Sequence, residues 1–188
     1  MKGDWMQTYT GRMFYPLSPE PDQVCLEDIG HALANVCRFG GHTSSFYSVG
    51  QHSVLVARLV GTTHPELQAN ALLHDAPEAY LGDIVRPLKH GHTMFGDMAQ
   101  GIEARVALAV EKHFALPHAI NPHHIVVKAA DRRVLMAEAR FLMGDPKWAI
   151  LTAWRQKYGP AWPECITPWS PPGAESAFMA AATRYGLA

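Results

Sequence analysis

Long apolar runs are missing from this chain of 188 residues. No stretch approaches the ~18 apolar residues of a membrane-spanning helix, and the start MKGDWMQTYTGR has no apolar signal core. A soluble cytoplasmic protein is the expectation. Cysteine is scarce. Cys25, Cys37 and Cys165 stand far apart with no CxxC pair, which excludes a disulfide framework and a zinc ribbon and leaves reduced thiols. Net charge is nearly absent as well: 16 Lys and Arg stand against 17 Asp and Glu, a balance of −1. No global basic field therefore recruits nucleic acid or an anionic membrane. An anionic substrate must be held locally, by a metal and a few Arg and Lys side chains. Strand signals almost vanish after residue 24, so the fold is expected to be mainly α.

Apolar residues form 48% of the chain and charged residues 18%, a balance that suits a compact core rather than disorder. The length fits a single domain over 1–188, with a core at 26–142, an N-terminal extended segment at 1–25 and a C-terminal wrap and helix at 146–188. Near the start, Arg12-Met13-Phe14-Tyr15 among Pro16, Pro19 and Pro21 reads as a short strand or hairpin followed by extended chain. From Leu26, apolar residues recur at helical steps through Ile29, Leu33, Val36 and Cys37 until Gly40-Gly41. A second helix is expected from Ser48 to Val60, closed by Gly61. A third runs from Pro65 through Leu72 and Leu73 to His74-Asp75, breaking just after the pair because Pro77 disfavours helical geometry at Ala76. Residues 77–90 read as a short helix and a loop. Further helices are expected over Met98–Phe114, over Asn121–Phe141 with Asn121 as cap and Gly144-Asp145-Pro146 as stop, and over 171–185 with Ser170 as cap. The Pro- and Trp-rich stretch from Trp154 to Pro172 reads as an irregular wrap. The apolar side of the last helix, with Phe178, Met179 and Tyr185, offers a surface for a second copy of the chain.

Eleven His residues are conspicuous, although His113, His118, His123 and His124 lie in surface-like company. His52 lies within an apolar helix, His74-Asp75 at a helix end, and Asp131 inside a helix otherwise built for burial. Adjacent residues on a helix point about 100° apart, so His74 and Asp75 share a target only beyond the helix end. Singly, His52 and Asp131 have ordinary structural readings. A buried Asp without a partner is costly, however, and a cation removes that cost. Together the four could surround one divalent ion, and an imidazole–carboxylate site of that kind acidifies water and holds a phosphoryl oxygen.

The segment His74-Asp75-Ala76-Pro77-Glu78-Ala79-Tyr80-Leu81-Gly82-Asp83-Ile84, with His52 before it and Asp131 after it, resembles the HD-domain metal-dependent phosphohydrolase superfamily. Its HDxxE continuation and Gly-Asp, with Arg38-Phe39 upstream, are similar to the branch of bacterial 5′-deoxynucleotidases and phage dATP triphosphohydrolases. The resemblance spans roughly residues 26–142. It implies an HD-domain helical bundle of about six helices behind a short N-terminal β-hairpin or extended segment. It also implies metal ligands His52, His74, Asp75 and Asp131. Two departures stand out: Phe39 replaces the Trp usual in characterised nucleotidases, and the interval from His52 to His74 is short.

From both routes, Glu78 is the candidate for proton transfer. Asp83 is a candidate for contacting the sugar or assisting that transfer, with a loop cap as its alternative. Arg38 offers a forked guanidinium to a non-bridging phosphate oxygen. His42, Arg86 and Lys89 are candidates for further phosphate contacts, and Lys128 and Arg132 add nearby charge. Phe39, Phe46 and Tyr47 could stack on a base, with core packing as the competing reading. The expected reaction is hydrolysis of a deoxynucleotide at the α-phosphorus, of either a deoxynucleoside 5′-monophosphate or dATP or another dNTP. The cofactor is a divalent metal (Mn, Co, Ni, Fe, Zn or Mg), with room for a second ion near Glu78. The competing readings are a non-catalytic nucleotide-binding regulatory module and an alarmone or cyclic-nucleotide phosphohydrolase.

Overall fold

The computed structural model describes residues 3–91, 93–116, 124–143, 153, 155–156 and 160–188. The chain opens with the antiparallel pair β1 (Met6–Gln7) and β2 (Met13–Phe14), in which Met6 faces Phe14. This hairpin is tied to the first helix because Asp28, itself buried, accepts from Thr10 N at 2.7 Å and Thr10 Oγ1 at 3.0 Å. Phe14 is fully buried and stacks on Tyr80.

The rest is mainly helical. In chain order the helices are α1 (Leu26–Asn35), α2 (Val49–Gly61), α3 (Gln68–Leu72), α4 (Glu78–Leu81), α5 (Arg86–Lys89), α6 (Met94–His113), α7 (His124–Leu142) and α8 (Pro171–Arg184). Ser48 caps α2, its hydroxyl accepting from Gln51 N at 3.1 Å, and Ser170 caps α8 through Gly173 N at 3.3 Å. α2 is apolar on nearly every side and packs against α1, α3, α7 and α8. A helix buried all round belongs at the centre of a bundle.

Two glycines allow α1 to be approached closely. A Cβ at Gly50 would sit 3.0 Å from Ala34 N, and one at Gly30 would sit 2.9 Å from Met179 Sδ. The expected surface for a second copy is accordingly turned inward. Phe178 is fully buried, and Met179 and Tyr185 pack against the core. Phe178→Ala should cost about 3–5 kcal/mol, the usual range for emptying a buried aromatic site. Urea denaturation checks this, and a loss well under 1 kcal/mol would contradict the assigned packing.

Residues 160–170 carry no regular helix and wrap the bundle. Gln51 holds them by donating from Nε2 to Thr167 O at 2.8 Å and accepting from Trp169 N at 2.8 Å. Trp162 N also donates to Arg133 O at 3.0 Å. The cap at Asn121-Pro122, the stop at Gly144–Pro146, Trp154, His118, His123 and the side chain of His124 lie outside the described residues.

Three boundaries differ from the sequence expectation. α1 ends at Asn35 rather than Gly40, because Val36 and Cys37 turn extended and Cys37 bridges to Ser48. α3 ends at Leu72, before His74-Asp75 rather than after it. α6 begins at Met94 instead of Met98, with Thr93 as its cap. Among the described residues, no helix is long and apolar enough to cross a membrane.

Candidate metal centre

The early end of α3 decides the site. Residues 73–77 form turns rather than helix, which frees His74 and Asp75 from the 100° spacing and lets both side chains converge. His74 Nε2 lies 3.2 Å from Asp75 Oδ2. From α2, His52 Nε2 reaches the same oxygen at 3.7 Å. These three side chains bring one ligand atom each within 4.8 Å of one another, which makes them a group able to hold a metal ion. Donors about 2.1 Å from a common ion stand roughly 3–3.5 Å apart, close to the spacings seen. Asp131, the fourth expected ligand, is not in that group of three; among the described residues it reaches only His52, with Oδ1 3.3 Å from His52 Nε2.

Both imidazoles are oriented from behind. His74 Nδ1 lies 2.7 Å from the Ala71 carbonyl, to which it can only donate. His52 Nδ1 lies 2.7 Å from Glu138 Oε1. Each ring therefore directs Nε2 into the group, the arrangement that outer partners impose on metal-binding histidines. Both Nε2 atoms are buried without a hydrogen-bond partner. Imidazole nitrogens that face carboxylate oxygens at 3.2–3.7 Å without a hydrogen bond leave a place for a cation shared between them.

Charge is dense here. Burial opposes the negative form of Asp75, but His74, His52 and Arg38 outweigh it and hold the carboxyl well below its ordinary range. Burial likewise opposes ionised Asp131, and its bond to His52 prevails. For His52, burial and Arg38 work against protonation, yet Glu138 and Asp131 carry it from 6.5 up to about 9. In chelator-treated protein, protonated His52 thus stabilises the fold fully below pH 6.5, and the contribution is lost as pH rises through about 9. The urea midpoint of stripped protein should fall across that interval. A midpoint that rises there contradicts the pairing.

Glu78 begins α4 with its backbone N–H bonded to Asp75 O at 2.9 Å. Its side chain is buried and Oε2 has no hydrogen-bond partner. Burial, then Asp75 and Asp83, raise its pKa well above the carboxylate range, against the pull of Arg38 and Lys89. Glu78 and Lys89 line a small cavity with Leu81, Gly82, Ile84, Ala99 and Glu103. Arg38 is buried, with Nη1 3.7 Å from Asp75 Oδ2 and Nη2 3.2 Å from Glu138 Oε2.

Comparison with known proteins places the chain. Over 149 residues it is 38% identical to "Uncharacterized protein YfdR" of Escherichia coli (strain K12), covering 78% of each chain. The chain belongs to the YfdR family. It is equally 38% identical, over 152 residues, to "Uncharacterized protein RCAP_rcc00048" of Rhodobacter capsulatus, covering 77% of this chain and 76% of the relative. No family model matches it.

The remaining expected site residues divide in this YfdR-family chain. Phe39 adopts left-handed backbone (φ 56°, ψ 26°), and the Arg38 guanidinium lies 5.3 Å from its ring centre. Such a conformation is costly for a residue with a side chain and is kept where surrounding structure enforces it. Asp83 follows Gly82; burial raises its pKa, Arg38 opposes and Asp75 adds. Lys89 forms an ion pair with Glu103 beside the cavity that it lines with Glu78. Arg86 is exposed, and His42 is exposed outside the group. Burial lowers the pKa of Lys128, Asp131 opposes, and Arg132, Arg86 and Lys89 repel its charge, so these cations share one region. Phe46 is exposed at 38%, whereas Tyr47 is fully buried and donates to Glu138 at 2.9 Å.

Glu138 is the residue that sequence reasoning missed. It lies seven positions after Asp131, two helical turns on the same face, amid Val134-Leu135-Met136-Ala137. A carboxylate in so apolar a run was the available signal.

Proposed function

We propose that this protein is an HD-domain metal-dependent phosphohydrolase that cleaves deoxynucleotides at the α-phosphorus, releasing phosphate from a deoxynucleoside monophosphate or triphosphate from a dNTP. The observation that carries the reading is the convergence of His52, His74 and Asp75, with both ring nitrogens turned inward by partners behind them. Those residues, with Asp131 beside His52, would hold the ion. A divalent ion there supplies positive charge against phosphoryl oxygens and acidifies water.

The chain's own residues do the rest. Arg38 places a guanidinium beside Asp75 and pairs with a non-bridging oxygen of the α-phosphate. Glu78, kept protonated by burial and by neighbouring carboxylates, gives its proton to the 5′ oxygen as the bond from that oxygen to phosphorus breaks and the water oxygen bonds to phosphorus; the proton that water sheds passes to solvent, from which Glu78 is reprotonated. Asp83, two residues beyond the end of α4, assists at the sugar. The positive charge of Arg86, Lys89 and Arg132 around Lys128 suits a substrate with more than one phosphate.

The test is direct. Metal-loaded protein is incubated with pooled dNMPs and with pooled dNTPs, and the products are separated. Nucleoside with phosphate, or nucleoside with triphosphate, is expected. Full metal occupancy with no phosphate ester cleaved would leave a non-catalytic binding module as the better reading.

A further inference from the structure

Glu138 lies near the C-terminal end of α7 with its side chain fully buried. A buried carboxylate is unfavourable unless its oxygens meet donors or positive charge. Here the partners all come from one stretch, residues 38–52, distant in sequence from Glu138. Oε1 accepts the Tyr47 hydroxyl at 2.9 Å and faces His52 Nδ1 at 2.7 Å, while Oε2 lies 3.2 Å from Arg38 Nη2. One side chain therefore sets the direction of a metal-binding imidazole and the position of the phosphate-facing guanidinium.

Arg38 also leans on Asp75, and through the same Oδ2 atom that faces His74 Nε2 at 3.2 Å and His52 Nε2 at 3.7 Å. A cation gathered by those rings competes with Arg38 for that oxygen. Arg38 Nε meanwhile is buried with no hydrogen-bond acceptor. The guanidinium is thus shared between one carboxylate inside the metal group and one outside it.

We propose that Glu138 is a positioning residue that locks His52 and Arg38 together, so that Arg38 stays anchored through Nη2 when Asp75 turns to a metal and presents Nη1 to a phosphoryl oxygen. This rests on the metal-dependent reading above. Binding of metal and of anion then both depend on one carboxylate that touches neither. Loss of Arg38 weakens the anion and does not weaken the metal, since it frees Asp75 Oδ2 of a competing cation.

The experiment titrates Mn²⁺ into chelator-treated protein, then inorganic phosphate into the Mn²⁺-loaded form, by calorimetry, with circular dichroism reporting the fold. Glu138→Gln keeps the shape and one oxygen acceptor but removes the charge that holds Arg38. It should weaken Mn²⁺ about 10-fold or more, within the range for loss of an outer partner of a metal ligand, and weaken phosphate by a similar factor. Arg38→Met should weaken phosphate as much while leaving Mn²⁺ binding intact. In the double variant, phosphate should bind no worse than in the weaker single variant, since the two residues act as a unit. Wild-type Mn²⁺ and phosphate affinity in Glu138→Gln, with only a lower melting temperature, would make Glu138 merely structural and overturn the proposal. Should Glu138→Gln fail to fold, Arg38→Met decides alone: unchanged phosphate binding overturns it. Wild-type protein that takes up no Mn²⁺ sinks the metal reading itself, a different result from either variant outcome.

Discussion

Asp75→Ala should abolish metal binding and turnover together. Its Oδ2 is the one atom that faces His52, His74 and Arg38 at once, at 3.7, 3.2 and 3.7 Å. Removing it takes a carboxylate out of the group and leaves two imidazoles beside a guanidinium held by Glu138 alone, an arrangement poorer in the negative charge that a cation needs. Loss of an outer partner of a metal ligand costs roughly 10–100-fold in affinity, and loss of a ligand that also neutralises a neighbouring cation should exceed that. Asp75 sits in a turn and is only partly buried, so the fold should survive. Calorimetric Mn²⁺ titration of folded variant checks the outcome. Wild-type affinity in Asp75→Ala would remove Asp75 from the ligand set.

Glu78→Gln should separate binding from chemistry. The side chain keeps its size in its buried place, and Mn²⁺ affinity should stay near that of the wild type. Turnover should fall about 10²–10⁴-fold, the usual span for removing a positioned proton donor. The pH profile carries the sign. Glu78 has a raised pKa, first by burial and then by Asp75 and Asp83, and works in its protonated form. Activity should therefore decline as pH climbs through that raised value, and the Gln variant should lose this limb. A variant with near-normal rates, or one with the same alkaline limb, would take the proton-transfer role away from Glu78.

How much of this was legible in the chain varies by residue. Ser48 and Ser170 announce α2 and α8 because an N-cap hydroxyl acts within three residues of itself. Val36 and Cys37 misled because they continue a helical spacing, while their backbone is claimed by the later strand-like stretch: Arg38 N donates to Tyr47 O and Val49 N to Val36 O. That competition is tertiary, and no local pattern shows it. The end of α3 was misplaced by only a few residues, yet the error bears on function, since His74 and Asp75 converge because the turn has already begun. His52, His74 and Asp75 were legible as types of ligand in a recognisable order. Glu138 was not, because its partners Tyr47 and His52 lie 91 and 86 residues away, and a carboxylate on a helix reads as solvated until the packing is known. The ion pair of Lys89 was equally hidden, because it depends on α5 packing on α6, which delivers Lys89 to Glu103.

The account stands on two imidazoles and a carboxylate gripping a single ion. X-ray absorption on Mn²⁺-loaded protein tests that most directly. The predicted spectrum shows nitrogen and oxygen neighbours, with imidazole scattering that weakens in His74→Ala and metal that no longer binds in Asp75→Ala. A spectrum with oxygen neighbours alone, unchanged by either substitution, would contradict it.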